Sequence, residues 1–420
     1  MDVGRIPEWD GMAGGRTMIE HDAAPGFLGH CQVCGSDDLR ELIDLGSQPL
    51  CDALLTRDQL REPEPTFPLR LMQCKACSLA QLDYVVSGAK VYPPTYPYRA
   101  GISWPIVAAH KEMAADIVKR YGSGFCVDVG SNDGTLLAQL QSLGCEVLGF
   151  EPTDIARIAA AAGIPTVQEF FGEHSPRGRR ADVITFTNVF AHMANLGDVM
   201  RGVCAMLTGP GVLIVENHYL LDILERNQFD SIYHEHIRTY TLRSLVELFG
   251  QYGLEVFDVE RKPRYGGNIR VHVGRRGMRT VSPRVGELLR LEVETGLNTD
   301  NAWKAFRARV FDARDEFREY VRYRNVVACS APGRASTLLN FYGVHQRDIP
   351  FTGEIDGSLK IGKYLPGCRI PVVSNTSIAK ASADSVILLA WHYGTEIKAR
   401  LRKEGVASRL VVPLPALAEI

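Results

Sequence analysis

The stretch Gly124–Pro152, GFCVDVGSNDGTLLAQLQSLGCEVLGFEP, constrains the fold more than any other part of the chain. An apolar run from Phe125 to Val129 suits a parallel strand buried on both faces. A turn follows from Gly130 to Gly134, then a short helix carrying Leu136, Leu137 and Leu140, then a second strand, Val147 to Phe150, ending on Glu151. The pattern predicts a β-α-β unit within a doubly wound sheet, whose ligand sits beyond the carboxyl ends of the strands.

Gly130 and Gly134 leave room for the backbone to approach a ligand, and Glu151 can accept hydrogen bonds from two ribose hydroxyls. The turn GSNDGT lacks the G-x-G-x-x-G spacing that seats a pyrophosphate on a helix N-terminus, and Asp133 would repel one. Asp128 and Asp133 bracketing a glycine turn, with Glu151 to follow, suit a sulfonium cation. The expected cofactor is therefore S-adenosylmethionine; the alternative is a doubly wound sheet that binds nothing here.

At 420 residues the chain is long for one core, so two or three domains are expected. Apolar content of 45% and charged content of 23% are those of a soluble globular protein. A net charge of -2 gives no electrostatic reason for nucleic acid or a membrane surface as partner. No apolar run approaches the roughly 18 residues of a membrane span. The N-terminal MDVGRIPEWDGMAGGRTMIEHD lacks the apolar core of a signal peptide and reads as a disordered tail. Ten cysteines, four in pairs and six scattered, do not look like a disulfide framework, which places the protein in the reducing cytoplasm.

The pairs are Cys31-Gln-Val-Cys34 and Cys74-Lys-Ala-Cys77, two knuckles that together complete a tetrahedral sulfur shell for zinc. Neither pair opens a helix, as a C-x-x-C redox motif should. With every coordination position filled by sulfur, such a zinc is structural. The proline-rich segment between the pairs is expected to be loop and edge strand. Tyr92-Pro-Pro-Thr-Tyr-Pro-Tyr98 follows as a hinge whose tyrosines could cover a substrate or pack on the next domain.

Further strands are expected at Gly163 to Phe171, Ala181 to Asn188 and Gly211 to Glu216, putting Glu169, Asn188 and His192 at the ligand end. Beyond them lies Phe229-Asp-Ser-Ile-Tyr-His-Glu-His236, dense in groups that move protons. The spacing of His234 and His236 does not match the helical H-E-x-x-H metal pair. Leu254 to Arg261 and Gly266 to Gly274 close the sheet, the latter alternating like an antiparallel edge strand. Charged helices are expected from Val285 to Arg324, and a second α/β pattern from Asn325.

Several of these strings together resemble one family. CQVCG through CKACSLAQL is similar to the zinc-binding N-terminal domain of the deoxysugar C-methyltransferases of antibiotic biosynthesis. VDVGSNDGTLL, FEP, EFF, NVFAHM, FDSIYHEHIRTYT, PGRASTLLNF, YLPGCRIPV and LLAWHYGTEI extend the likeness over nearly the whole chain after residue 26. The resemblance implies methylation at C3 of a dTDP-linked 4-keto-6-deoxysugar, by deprotonation to an enolate and in-line methyl transfer. It makes His236 the general base, with Tyr233 and Glu235 beside it, and lines the same pocket with His192 and with Tyr96 or Tyr98. Its cofactor set here is Asp128, Gly130, Asn132, Asp133, Gly134, Glu151, Pro152, Glu169, Phe170 and Asn188. Asn217, Arg334, Asn340 and His392 fall to the substrate, and Cys31, Cys34, Cys74 and Cys77 to zinc. Departures lie on the substrate side: Ala328-Cys329-Ser330 for a usual Gly-Tyr-Gly, Arg334 for a lysine and His218 for a proline.

The expected architecture is α/β, a Rossmann-like S-adenosylmethionine methyltransferase domain between a small zinc-binding domain and a C-terminal Rossmann-like lobe. The expected boundaries are a disordered tail over 1–26, the zinc domain over 27–90, the methyltransferase domain over 91–282, a helical linker over 283–324 and a substrate-binding lobe over 325–420. The competing functions are the same machinery acting on a non-sugar carbonyl compound or on oxygen, and a non-catalytic cofactor-binding scaffold.

Overall fold

A computed structural model describes residues 21–94 and 98–420. Tyr96 and the stretch before residue 21 lie outside the described residues.

The β-α-β unit forms where the sequence places it. Phe125–Val129 is buried at every position, Thr135–Ser142 is the crossover helix with Leu136, Leu137 and Leu140 inward, and Glu146–Phe150 is the neighbouring strand. They belong to a seven-stranded sheet in the order Leu254–Lys262, Asn268–Arg275, Leu207–His218, Ala181–Thr187, Phe125–Val129, Glu146–Phe150, Thr166–Val167. The last five of these run parallel, and Asn268–Arg275 is antiparallel to both neighbours.

Two expectations change here. Asn268–Arg275 is an interior strand, and its alternation does not mark a solvent face. Ile269, Val271 and Val273 enter the core on one side, while Asn268, Arg270 and His272 are buried on the other. Those polar side chains stay inside because each is paired: Asn268 and Arg270 with Glu216, His272 with Tyr121 at 2.8 Å. The third strand shrinks to Thr166–Val167 at the sheet edge, and the residues after it turn away toward the strand ends.

The zinc-knuckle segment also holds more strand than its prolines suggest. Leu39–Pro49 and Thr66–Cys74 form a long antiparallel pair, extended by Ala80–Leu82 and Arg238–Thr239. The prolines sit at its far end, Pro49 opposite Thr66 and Pro68 opposite Ser47. Residues 21–26, expected in the tail, are engaged. His21 is buried with Nδ1 2.8 Å from the Gln32 carbonyl, Asp22 accepts from the Gly197 amide, and Gly26–Phe27 pairs with Tyr84–Val85.

Helix Asp300–Arg322 turns Trp303, Phe306, Val310, Ala313, Phe317 and Val321 inward at i, i+3 and i+4 spacing, after a Thr299 cap. The C-terminal lobe is a second sheet, Val372–Ser374, Thr352–Glu354, Val326–Cys329, Ser385–Leu388, Arg409–Val412 and Ala418–Glu419, parallel except for the last strand. The chain is thus α/β, a Rossmann-like central sheet flanked by a small cysteine-bearing domain built on an antiparallel sheet and by a Rossmann-like lobe. Among the described residues no helix is long and apolar enough to cross a membrane.

Candidate active site

The carboxyl ends of the central strands and of the C-terminal lobe open on one shared cavity of about 1110 Å³, closed on its other sides by the hinge and by Asp52 of the zinc-knuckle hairpin. That exceeds the roughly 300–1,000 Å³ of pockets that hold one small ligand.

One end is built by the glycine turn. Gly130 and Gly134 both have left-handed φ, 71° and 76°. A side chain at Gly130 would strike Val189, and one at Gly134 would press on Ala159 and Ile164, so Gly134 serves packing and does not line the cavity. Asp133 does not line it either: its carboxylate accepts from the Gly101 amide and the Thr135 hydroxyl. Asn132 binds the Ala100 amide and the Tyr98 carbonyl, so the turn grips the end of the hinge. Glu151 lines the cavity, one carboxylate oxygen on the Asn132 amide and the other on Thr153. Asp128 is buried against the Thr185 hydroxyl at 2.6 Å, and burial, with Glu151 nearby, pushes it up to about 7. The turn therefore carries less free negative charge than its spelling implies.

Around it, Pro152, Glu169, Phe170 and Asn188 also line the cavity. Glu169 is paired with Arg177, and Phe170 offers a ring that is 68% exposed. Among the described residues Thr187 Oγ1 and Asn188 Nδ2 are buried donors with no hydrogen-bond partner at the strand end. A carboxylate, an apolar ring and these donors on one cavity wall fit S-adenosylmethionine.

Beyond this end lies a cluster of imidazoles. The ring centroid of His236 is 5.0 Å from His192 and 4.7 Å from His218, and Tyr233 packs on it at 4.0 Å. His236 Nδ1 meets the Ser231 carbonyl at 2.7 Å, which fixes the proton on Nδ1 and leaves Nε2 as the basic nitrogen. Burial and the neighbouring His192 hold His236 well below its ordinary value, so it is neutral and able to accept a proton. His192 stacks on Tyr92, its Nε2 buried and without a hydrogen-bond partner among the described residues, burial lowering it to about 4. Burial raises the Tyr233 phenol, and the Cys51 thiol lies 3.6 Å from the Glu235 carboxylate. His234 turns away to the Phe67 and Pro68 carbonyls, so it shares no ligand position with His236.

The four knuckle cysteines converge. Sγ of Cys31 and Cys77, and of Cys34 and Cys74, are 3.5 Å apart, and all four lie within 4.8 Å of one another. A tetrahedral site with Zn–S near 2.3 Å requires edges of about 3.8 Å, so the cradle fits zinc. None of the four lines the cavity.

A methyltransferase domain model matches residues 109–259, a zinc binding domain model residues 31–92, and a C-methyltransferase C-terminal domain model residues 263–415. Over 407 residues the chain is 33% identical to the C-methyltransferase NovU of Streptomyces niveus, covering 92% of this chain and 96% of that one. The chain belongs to the C-methyltransferase family. Its cofactor is S-adenosylmethionine, and its cysteine cluster is a zinc site. Among solved structures it is similar to the mitomycin 7-O-methyltransferase MmcR, at 18% identity and a TM-score of 0.33, over 40% of this chain and about half (53%) of that one. It is also similar to an S-adenosylmethionine-dependent methyltransferase from Clostridium acetobutylicum ATCC 824, at 12% identity and 0.34, over 41% and 92%. Likenesses this slight add nothing to the family assignment.

In this C-methyltransferase the lobe places its expected substrate residues unevenly. His392 lines the cavity. Arg334 also borders it, but four of its five N–H donors are taken by Asp230, the Tyr265 carbonyl and Gln228. Asn340 is out of reach, tying Ser336 to Pro366, and Asn217 is buried inside the strand before the cavity. Three groups at the site have no role assigned from sequence. His218 ends the strand Leu207–His218, so the strand-end rule could have found it. Tyr265, held at φ 55° with its hydroxyl 2.8 Å from that of Tyr98, has no local signal. Lys360 reaches Asp52 at 2.9 Å across two domains and supplies the cation beside Cys51 and Glu235.

Proposed function

We propose that the protein methylates a carbon next to a ketone, on a nucleotide-linked 4-keto-6-deoxysugar, at C3. The observation that carries this reading is His236: a neutral imidazole, its tautomer set by Ser231, facing the same cavity as the glycine turn and Glu151. A carbon beside a carbonyl becomes acidic because its carbanion delocalises as an enolate, so the reaction needs a base and hydrogen-bond donors at the developing oxyanion. His236 takes the proton. Tyr233, His192 and the Tyr98–Tyr265 pair are polar groups around it; burial raises the tyrosines and lowers His192, so all are neutral at pH 7, and one hydroxyl of the tyrosine pair donates to the other. When bound, S-adenosylmethionine supplies an electrophilic methyl group on a positive sulfur. Burial of the base excludes the water that would otherwise protonate the enolate.

The cavity volume supports a second, bulky ligand beside the cofactor, and its wall includes the C-terminal lobe's turn Ser330–Arg334. We place the enzyme in the cytoplasm, since none of the ten cysteines, all among the described residues, is in a disulfide. The test is a mass-spectrometric screen of S-adenosylmethionine with a panel of dTDP-linked 4-keto-6-deoxysugars, run beside deuterium exchange of the same sugars in D2O without the methyl donor. Exchange and a product heavier by one methylene are expected, with both lost in His236→Asn. Methylation without exchange would point to an oxygen acceptor, and cofactor binding without any product to a scaffold.

A further inference from the structure

We infer that His218 is a catalytic residue of this reaction, its ring N–H donating to the enolate oxygen while His236 holds the abstracted proton. The inference rests on the α-keto methylation proposed above and adds to it the group that carries the oxyanion.

His218 ends the strand Leu207–His218 and lines the cavity. Its ring lies between His236, at 4.7 Å, and Tyr265, at 5.7 Å and 29°. Of the imidazoles beside the base it is the nearest, and a carbonyl oxygen is only one bond from the carbon next to the C–H being broken.

The hydrogen-bond pattern separates the two histidines. His236 is locked by Ser231 and so presents an acceptor. Among the described residues the His218 ring makes no hydrogen bond, so a ligand in the cavity can take its N–H. Tyr265 meets the His218 ring through a stacked ring contact and not through its hydroxyl, which is joined to that of Tyr98. Tyr265 also sits in a backbone conformation that a bulky side chain rarely adopts, an expense that persists where the surroundings fix it, and here it props the His218 ring.

Charge sets the order of events. Two imidazolium rings this close repel strongly, so once His236 is protonated His218 stays neutral. Burial, then His236, Arg334, His392 and His192, already hold it well below its ordinary value. A neutral imidazole keeps one N–H and acts as an electrophile rather than an acid, as the active-site histidine of triosephosphate isomerase does. The C–H bond breaks with its proton on His236 Nε2. Its electron pair forms the carbon–carbon double bond, and the carbonyl pair withdraws onto the oxygen that His218 faces. His218 transfers no proton.

The test compares His218→Phe, which keeps a ring, with His218→Asn, which keeps an N–H donor. Each is measured for deuterium exchange and methylation of dTDP-linked 4-keto-6-deoxysugars and for S-adenosylhomocysteine affinity. Expected is a loss of about 10²- to 10³-fold in both rates for phenylalanine with cofactor affinity kept, and recovery of about tenfold or more by asparagine. Near-normal rates in the phenylalanine variant, or phenylalanine outperforming asparagine, would mean the ring only packs and would overturn the assignment. Should His218→Phe not fold, His218→Gln against His218→Leu makes the same comparison. A wild type that neither exchanges nor methylates any sugar refutes the methylation reading itself, an outcome distinct from an active wild type indifferent to residue 218.

Discussion

Arg334 and Asp230 meet through two parallel hydrogen bonds, Nε to Oδ2 at 2.7 Å and Nη2 to Oδ1 at 2.6 Å, with both side chains buried. Asp230 also accepts from the Trp391 indole at 2.8 Å, and it directly precedes Ser231, whose carbonyl orients His236. The C-terminal lobe is therefore clamped to the loop that carries His236.

Arg334→Met should leave Asp230 as a buried, unpaired carboxylate and cost about 3–5 kcal/mol of stability. Urea unfolding measures it. The double variant Arg334→Met with Asp230→Asn should recover a good part of that loss, and a single variant as stable as wild type would show that the clamp holds nothing.

Acid should weaken the fold. Burial lowers His110 to about 3 and His192 to about 4, against 6.5 in an unfolded chain. Between pH 6.5 and 4 the unfolded state binds protons that these rings refuse, so stability falls as pH falls. At pH 5 each ring costs about 2 kcal/mol. Asp128 has the opposite sign: its raised value near 7 adds stability as pH drops below 7 and offsets about one ring. Burial also lowers His21, His218, His234, His236, His272 and His392, which push in the same direction as His110. Melting temperature should therefore fall between pH 7 and 5, and His110→Gln should flatten the slope.

Removing zinc should unfold the cysteine domain. Cys31 and Cys74 are fully buried at the end of the Leu39–Pro49 and Thr66–Cys74 pair, and that hairpin also receives His234 from the loop that carries His236. Four converging sulfurs without a cation repel once ionised. Cys74→Ser, or a strong chelator, is expected to lower the melting temperature and also reduce methyl transfer, although no sulfur reaches the cavity. Metal analysis beside calorimetry checks both.

The glycine turn, the strand-end residues and the cysteine pairs were legible because their signals are local: a left-handed φ demands Gly130, and knuckle spacing demands Cys31 with Cys34. What stayed hidden depends on pairing over long separations. Nothing near Arg334 announces Asp230, so the resemblance gives to the substrate a guanidinium that an internal carboxylate holds. Nothing near Asp133 shows that Gly101 takes its carboxylate. The interior strand Asn268–Arg275 misled for the same reason, since Glu216 and Tyr121 are what allow its polar face to be buried.

Asn132 illustrates how such a role can be tested. The sequence marks it as a cofactor contact, yet its side chain accepts from the Ala100 amide at 2.8 Å and donates to the Tyr98 carbonyl at 3.2 Å. Two such bonds contribute about 1–3 kcal/mol together, enough to hold a short segment down but not to hold the domain. Asn132→Ala should therefore free the segment carrying Tyr98 and Arg99 while leaving global stability close to wild type. Trypsin should cut after Arg99 several-fold faster in the variant, and the rate of methyl transfer should fall because Tyr98 is no longer fixed against Tyr265. Affinity for S-adenosylhomocysteine should fall less than in Glu151→Gln, where the acceptor facing the cavity is itself altered. If Asn132→Ala instead matches Glu151→Gln in cofactor affinity and leaves cleavage at Arg99 unchanged, the side chain acts on the cofactor and the hinge is held by other bonds.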